Sequence, residues 1–302
     1  MEVVSRLLAL LVLLLLGTGL RTTGVLNTTR TATLNAVAYY VALPALIFVS
    51  TYDRDIGELL SPALFGGLLF VLFATAGIAW LVHRNRSSTP RRSVAIVQSY
   101  HSNLGYLGLP LVAATFNDDV TAIASVVLGV VTLTQLPLTI IVLSTLNGAG
   151  AAIGDEIRGL ATNPVLAALI GGLAIGSVGV SIPAPVASGL DVLGMLSLPL
   201  ALLCVGASLQ VDLPSIDLGA TGSVIALKIV CMPVIAWFVF SALAVDATTL
   251  TATVVMLGTP SAVSTFVFAT ELGGDKEFAS LNVFLTTLVS IATLFVLITL
   301  VG

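Results

Sequence analysis

Residues 98–116 read Gln-Ser-Tyr-His-Ser-Asn-Leu-Gly-Tyr-Leu-Gly-Leu-Pro-Leu-Val-Ala-Ala-Thr-Phe. The stretch stands where a membrane-spanning helix is expected, yet its first half is polar and its middle carries Gly105, Gly108 and Pro110. A helix in lipid keeps its backbone hydrogen bonds within itself. Polar and helix-breaking residues at depth are therefore tolerated only where other protein or a wet cavity satisfies the freed groups. The stretch reads as a broken helix lining a site. A second such segment lies at Leu257-Gly-Thr-Pro-Ser-Ala-Val-Ser264, an apolar run interrupted by Gly258 and Pro260. Two interrupted segments at matching places in the two halves of a chain point to a transporter's binding site.

The composition around these segments fits that reading. Of 302 residues, 57% are hydrophobic and 9% charged, and about ten apolar runs approach the roughly 20 residues a spanning helix needs. The expected class is an all-α polytopic membrane protein with ten transmembrane helices, near 3–20, 31–51, 60–83, 93–115, 120–145, 163–180, 187–209, 217–241, 248–271 and 278–301. The first run carries only Arg6, offset by Glu2, and no small-residue cleavage site follows it. It reads as a helix and not as a signal peptide. Cys204 and Cys231 both fall inside apolar runs and read as small core residues, not as a disulfide or a metal pair. No cofactor, metal or nucleic-acid partner is expected; the expected partners are the lipid bilayer and a small solute, and a homodimer is compatible with the class.

Basic residues orient the chain. With ten alternating spans, Arg21, Arg30, Arg84, Arg86, Arg91, Arg92, Arg158 and Lys276 share one side, and only Arg6 and Arg54 take the other. The positive-inside rule then puts the 84–92 loop in the cytoplasm and both termini outside the cell membrane.

The chain also resembles itself. Ala42-Leu-Pro-Ala-Leu-Ile-Phe48 is similar to Ser197-Leu-Pro-Leu-Ala-Leu-Leu203, and Ala114-Thr-Phe-Asn-Asp-Asp119 to Thr270-Glu-Leu-Gly-Gly-Asp275. The two offsets agree to within one residue. They imply a five-helix unit used twice: residues 1–145, a cytoplasmic linker at 146–162, and residues 163–302. Because five is odd, the second copy is inverted in the membrane. Spans 4 and 9 then correspond, with Asn103 aligned to Thr259 and Gly105 to Ser261.

Several of these segments resemble the auxin efflux carrier family of membrane transport proteins, which includes prokaryotic malate and malonate permeases. The resemblance is carried by Tyr40-Val-Ala-Leu-Pro-Ala-Leu-Ile-Phe48, Asn103-Leu-Gly-Tyr-Leu-Gly-Leu-Pro-Leu111, Asn163-Pro164, Leu198-Pro-Leu-Ala-Leu-Leu-Cys-Val-Gly-Ala-Ser-Leu209, Lys228 ahead of Pro233, and Pro260-Ser-Ala-Val-Ser-Thr-Phe-Val-Phe-Ala-Thr-Glu271. It implies a fold related to bile acid symporters and sodium/proton antiporters. In that fold, scaffold and transport domains are each drawn from both repeats, and broken helices 4 and 9 cross. It also implies carriage of small organic anions. The chain departs from the plant exporters in having Ser102 where a crossover proline is expected, no Asp/Lys pair in span 3, and a short central loop. Auxin itself and the coupling mechanism are therefore not carried over.

The residue chemistry suits an anion held without a permanent counter-charge. Half-helix N-termini offer free N–H groups and positive dipole ends. Asn103 adds an amide donor, while Thr259, Ser261 and Ser264 add hydroxyls from the segment around Pro260. Ser102, Gly105, Tyr106 and Gln135 complete the candidate substrate-binding set. Asn103 reads equally as a substrate contact or as a tie for broken backbone, and Gln135 equally as a substrate contact or as an inter-helix hydrogen bond. His101 is the candidate for proton coupling, with a satisfied structural histidine as its plainer role. Tyr100 reads as gating or packing, and Lys228 as an anion attractor or a structural lysine.

The expected function is thus a secondary transporter moving small carboxylates by alternating access, with substrate at the crossing. A channel, a substrate sensor on the same fold, or a sodium/proton-coupled carrier of another solute remain alternatives. An enzyme is not expected: Tyr52-Asp53 and Gly273-Gly-Asp275 only faintly resemble an intramembrane aspartyl protease, and both aspartates fall at helix ends.

Overall fold

A computed structural model describes residues 2–86, 88–149, 159–208 and 217–302. Most of the proposed linker, 150–158 with its charged Asp155, Glu156 and Arg158, lies outside the described residues. Among those described, regular structure is entirely helical, in the order α1 (Glu2–Thr22), α2 (Thr28–Thr51), α3 (Pro62–His83), α4a (Thr89–Gln98), α4b (Leu104–Thr115), α5 (Asp118–Asn147), α6 (Pro164–Val178), α7 (Ala184–Ala207), α8 (Leu218–Ala242), α9a (Ala247–Leu257), α9b (Ser264–Glu271) and α10 (Lys276–Val301). A single short turn, Ile56–Leu59, precedes α3. Six of these helices, α2, α3, α5, α7, α8 and α10, are long and apolar enough to cross a membrane, and shorter apolar helices fill the remaining positions. Large apolar side chains such as Phe70, Trp80 and Phe238 are exposed on the outside, as lipid-facing residues are. The chain is a multi-pass membrane protein.

Helix starts follow local chemistry. Asn27, Ser61, Ser88, Asn117, Asp217, Asp246 and Asp275 each accept a hydrogen bond from a backbone N–H three residues on. This satisfies donors that a helix leaves orphaned at its first turn. Asn163 caps α6 in the same way, with Pro164 at the first helical position, where a missing N–H is harmless.

Prolines inside helices leave a different mark. In α2, α4b and α8 a wide π turn, at Ala38–Ala42, Leu104–Gly108 and Ala226–Cys231, stands immediately before Leu43-Pro44, Leu109-Pro110 and Met232-Pro233. The residue ahead of each proline donates its N–H five residues back, Leu43 to Ala38, Leu109 to Leu104 and Met232 to Leu227. A proline lacks one N–H and pushes against the carbonyl four residues earlier. One extra residue in the preceding turn absorbs both problems without ending the helix.

The helices form two sets. In the first, α1 lies along α7, and α2 packs on α6 and α7. The approach of α1 to α7 rests on glycine, since a Cβ at Gly206 would strike the carbonyl of Leu14, and the Thr18 hydroxyl donates to the Gly206 carbonyl at 2.9 Å. Close packing through small residues substitutes for the hydrophobic drive that lipid does not provide. In the second set, α5 packs on α4a and α9a, α8 on α3 and α9a, and α10 on α9a and α9b. Charges collect at the ends of this set. Arg86 and Arg91 face Asp217 at 3.9 and 3.8 Å, and Arg91 reaches Asp275 at 3.0 Å. Arg54 pairs with Asp119 at 2.6 Å between the end of α2 and the start of α5. The sets meet where α2, α6 and α7 face α4b and α5.

Candidate functional site

Helices 4 and 9 are both interrupted, and the two gaps touch. Residues 99–103 and 258–263 run past each other as a minimal antiparallel pair centred on Ser102 and Ser261. The Asn103 N–H donates to the Pro260 carbonyl at 2.8 Å, and the Ala262 N–H donates to the His101 carbonyl at 3.1 Å. Each broken segment thereby satisfies part of the other's backbone. A third partner completes the Ser102 peptide: the Gln135 side chain accepts from the Ser102 N–H at 3.0 Å and donates to the Ser102 carbonyl at 3.1 Å. A glutamine on α5 thus does what a neighbouring strand would do.

One side of this crossing faces a cavity of about 450 Å³ between the two helix sets. Its floor is His101, Ser102, Asn103, Gly105 and Gln135, and its walls include Tyr39, Tyr40 and Tyr106, with Ser264 and Phe268 on α9b. Exposed Ala32 and Asn35 on α2 mark its mouth, together with half-buried Asn163. The α9b N-terminus and the first turn of α4b border it, and at the start of α9b the Thr265 and Phe266 N–H groups donate to the Ala262 and Val263 carbonyls. Among the described residues, no Lys, Arg, Asp or Glu lines it.

The candidate site residues divide across the crossing. Asn103, Ser102, Gly105, Tyr106, Gln135, Ser264 and His101 lie on the cavity. Asn103 is 3% exposed, and among the described residues no group bonds its carboxamide. Tyr106 stacks on Tyr39 with ring centroids 6.2 Å apart. His101 Nδ1 pairs with the Thr139 hydroxyl at 2.7 Å. The remaining three, Thr259, Pro260 and Ser261, are buried on the far side. The Thr259 hydroxyl turns back to the Met256 carbonyl at 2.8 Å, and the Ser261 hydroxyl caps the Gln98 carbonyl at the end of α4a at 2.7 Å. Tyr100 is fully buried, with its hydroxyl 3.3 Å from that of Thr139. Lys228 is also fully buried, off the cavity, donating to the Leu257 carbonyl at 2.8 Å. Cys204 lines the cavity and Cys231 lies apart from it; neither is in a disulfide.

A polar cluster behind the crossing escaped the sequence reading. Gln98 donates to the Thr265 hydroxyl at 3.0 Å and to the Ala279 carbonyl at 2.9 Å, and it accepts from Asn282 Nδ2 at 2.9 Å. The Ser261 N–H donates to the Thr286 hydroxyl at 3.3 Å. Asn282 Oδ1 is buried without a partner. Asn282, Thr286 and Ser290 recur at every fourth residue of α10, which is one helix face. That spacing was the available signal.

A polytopic helical protein with crossed, broken helices over a solute-sized cavity is a membrane transporter by architecture. The chain belongs to the membrane transport protein family, the auxin efflux carriers, whose sequence profile matches residues 2–298. It is 28% identical over 298 residues to an "Uncharacterized transporter" of Methanothermobacter thermautotrophicus, covering 95% of this chain and 94% of that one. It is 24% identical over 269 residues to a "Putative malonate transporter" of Rhizobium meliloti, covering 86% of this chain and 83% of the other. The family is one of transporters and not of enzymes.

Proposed function

We propose that the protein is a secondary carrier of small carboxylates that works by alternating access, with solute held on the cavity side of the α4–α9 crossing. The observation that carries this reading is Asn103. A buried carboxamide normally finds a partner. This one sits at the start of α4b, in a wall with no fixed charge among the described residues, and its bonds are left for a solute. The first-turn N–H groups of α4b, the Asn103 amide and the Ser264 hydroxyl suit an anion without holding a naked cation in the bilayer. The name given to the Rhizobium meliloti relative points to the same solute class.

In this reading the chain makes ten crossings as two inverted five-helix repeats, residues 1–145 and 163–302, joined at 146–162. The set of α1, α2, α6 and α7 is the scaffold, and the set of α3–α5 and α8–α10 moves against it. With both termini outside the cell, the cavity opens to the cytoplasm. Ser102, Gly105, Tyr106 and Gln135 shape the site, Thr259, Pro260 and Ser261 hold the crossing from behind, and His101 is the candidate proton carrier.

The test is uptake of radiolabelled malonate and other small carboxylates into proteoliposomes. Saturable uptake with counterflow in the native protein, lost in Asn103→Ala while that variant stays monodisperse, is the expected result. Uptake that does not saturate would make the protein a channel, and unchanged kinetics in Asn103→Ala would remove this residue from the site.

A further inference from the structure

Two half-helices end inside the protein at the crossing, and their C-terminal carbonyls are satisfied in unlike ways. At the end of α4a the Gln98 carbonyl accepts from a neutral donor, the Ser261 hydroxyl at 2.7 Å. At the end of α9a the Leu257 carbonyl accepts from the Lys228 ammonium at 2.8 Å. Lys228 is 0% exposed and sits in the π turn of α8, whose wide backbone carries its side chain toward α9a. Its second contact is the thioether of Met232 at 3.4 Å. Among the described residues no carboxylate pairs with it, and the titratable group within electrostatic reach is His101.

A full charge buried at membrane depth without a counter-ion needs a negative pole. A helix C-terminus is one, equivalent to about half an elementary charge. In carriers with broken helices, unwound carbonyls and half-helix C-termini are where a coupling cation such as sodium binds. Here the place beside the α9a terminus holds the amine of the chain itself.

We propose that the Lys228 ammonium is the resident cation of the helix crossing, occupying the position where a metal cation would bind, so that the crossing is assembled without sodium. The cation is tethered through its stem to α8. Wherever α9a moves, α8 moves with it.

The inference concerns a cation and not the solute, and its test needs no transport. Thermal unfolding of the purified full-length protein in detergent is followed in sodium chloride and in choline chloride of equal ionic strength. The wild type is expected to unfold at the same temperature in both; a sodium-specific rise would overturn the proposal. Lys228→Met keeps most of the volume and deletes the charge. It is expected to unfold several degrees lower, and equal stability would make the lysine a packing residue and refute the idea. Lys228→Ala deletes three methylenes and the amine, a fragment that n-propylammonium replaces and 1-propanol mimics without charge. Propylammonium is expected to restore stability where propanol does not, and equal rescue by both would overturn the charge role. Should Lys228→Ala be too unstable to purify, the membranes are solubilised with each compound present, and recovery of monodisperse protein becomes the readout. Solute uptake lost in Asn103→Ala bears on the carrier reading alone, so the two can fail separately.

Discussion

Replacing Gln135 by leucine removes both partners of the Ser102 peptide in one step. The native side chain holds the Ser102 N–H at 3.0 Å and the Ser102 carbonyl at 3.1 Å, and both residues are nearly fully buried. A buried backbone group left unpaired costs about 1–3 kcal/mol. Water can enter the cavity beside this wall and replace part of the loss, so roughly 1–1.5 kcal/mol per group applies. The two together come to about 2–3 kcal/mol, and a chain of this size unfolds roughly 4–10 °C lower for that loss. The fluorescence of Trp80 and Trp237 in the purified protein reads the transition. Asn103 is the internal control, since it carries the same functional group one residue from the same peptide, but without a protein partner. Asn103→Ala is expected to stay within about 0.5 kcal/mol of the native protein. An unfolding temperature for Gln135→Leu within a degree of wild type would refute the clamp, and a loss for Asn103→Ala equal to that of Gln135→Leu would refute the view that the Asn103 amide has no protein partner.

Other expectations test the supports of the crossing. Pro260→Ala restores an N–H and lets α9a extend into the gap, drawing Pro260 out of its bond with the Asn103 N–H; uptake is expected to fall, and normal uptake would count against a mechanism built on broken helices. Asp275→Ala removes both the cap of α10, a 3.0 Å bond from the Phe278 N–H, and the nearer of the two carboxylates facing Arg91. It is expected to cost about 1–2 kcal/mol in thermal unfolding, with Asp275→Asn recovering the cap portion. Slight burial raises the Asp246 pKa, but bonds from the Thr249 hydroxyl and nearby backbone N–H groups outweigh it and hold the carboxyl below its usual value. A depressed carboxyl stabilises the fold above its unfolded pKa, near 4, and loses that contribution as pH falls through the folded value. Asp246→Asn is expected to flatten that part of the acid-unfolding profile, and an unchanged profile would assign the step to other groups.

The breaks in helices 4 and 9 were legible because glycine, proline and polar residues inside an apolar run have few physical explanations. Asn103, Gly105 and Ser264 could be placed near a cavity for the same reason. The sides taken by Thr259 and Ser261 were not legible. Facing is counted with a period of 3.6 residues, and that count stops where the backbone unwinds. Aligning the halves says which positions correspond and not which ones meet, so the pairing of Ser261 with Ser102 had no signal in it. For Gln135, substrate contact and inter-helix hydrogen bonding were equal in sequence, and neither named the Ser102 backbone, since that partner lies more than thirty residues away. Lys228 was visible as a charge at depth, but its partner is a carbonyl, and sequence does not mark one carbonyl from another.

The π turn ahead of Pro44 acts at a distance from itself. Replacing that proline would let the turn close to ordinary helical spacing. Absorbing the one surplus residue would rotate the preceding part of α2 by about 100° around its own axis. Asn35, Ala36 and Tyr39 look into the cavity from that part of the helix, whereas Pro44 lies on an outer groove beside Phe48 and Leu193. The proline therefore sets the azimuth of side chains two turns away. Two relatives with identical cavity-facing residues but different proline positions would present different linings, so selectivity in such chains can change through a residue the solute never meets.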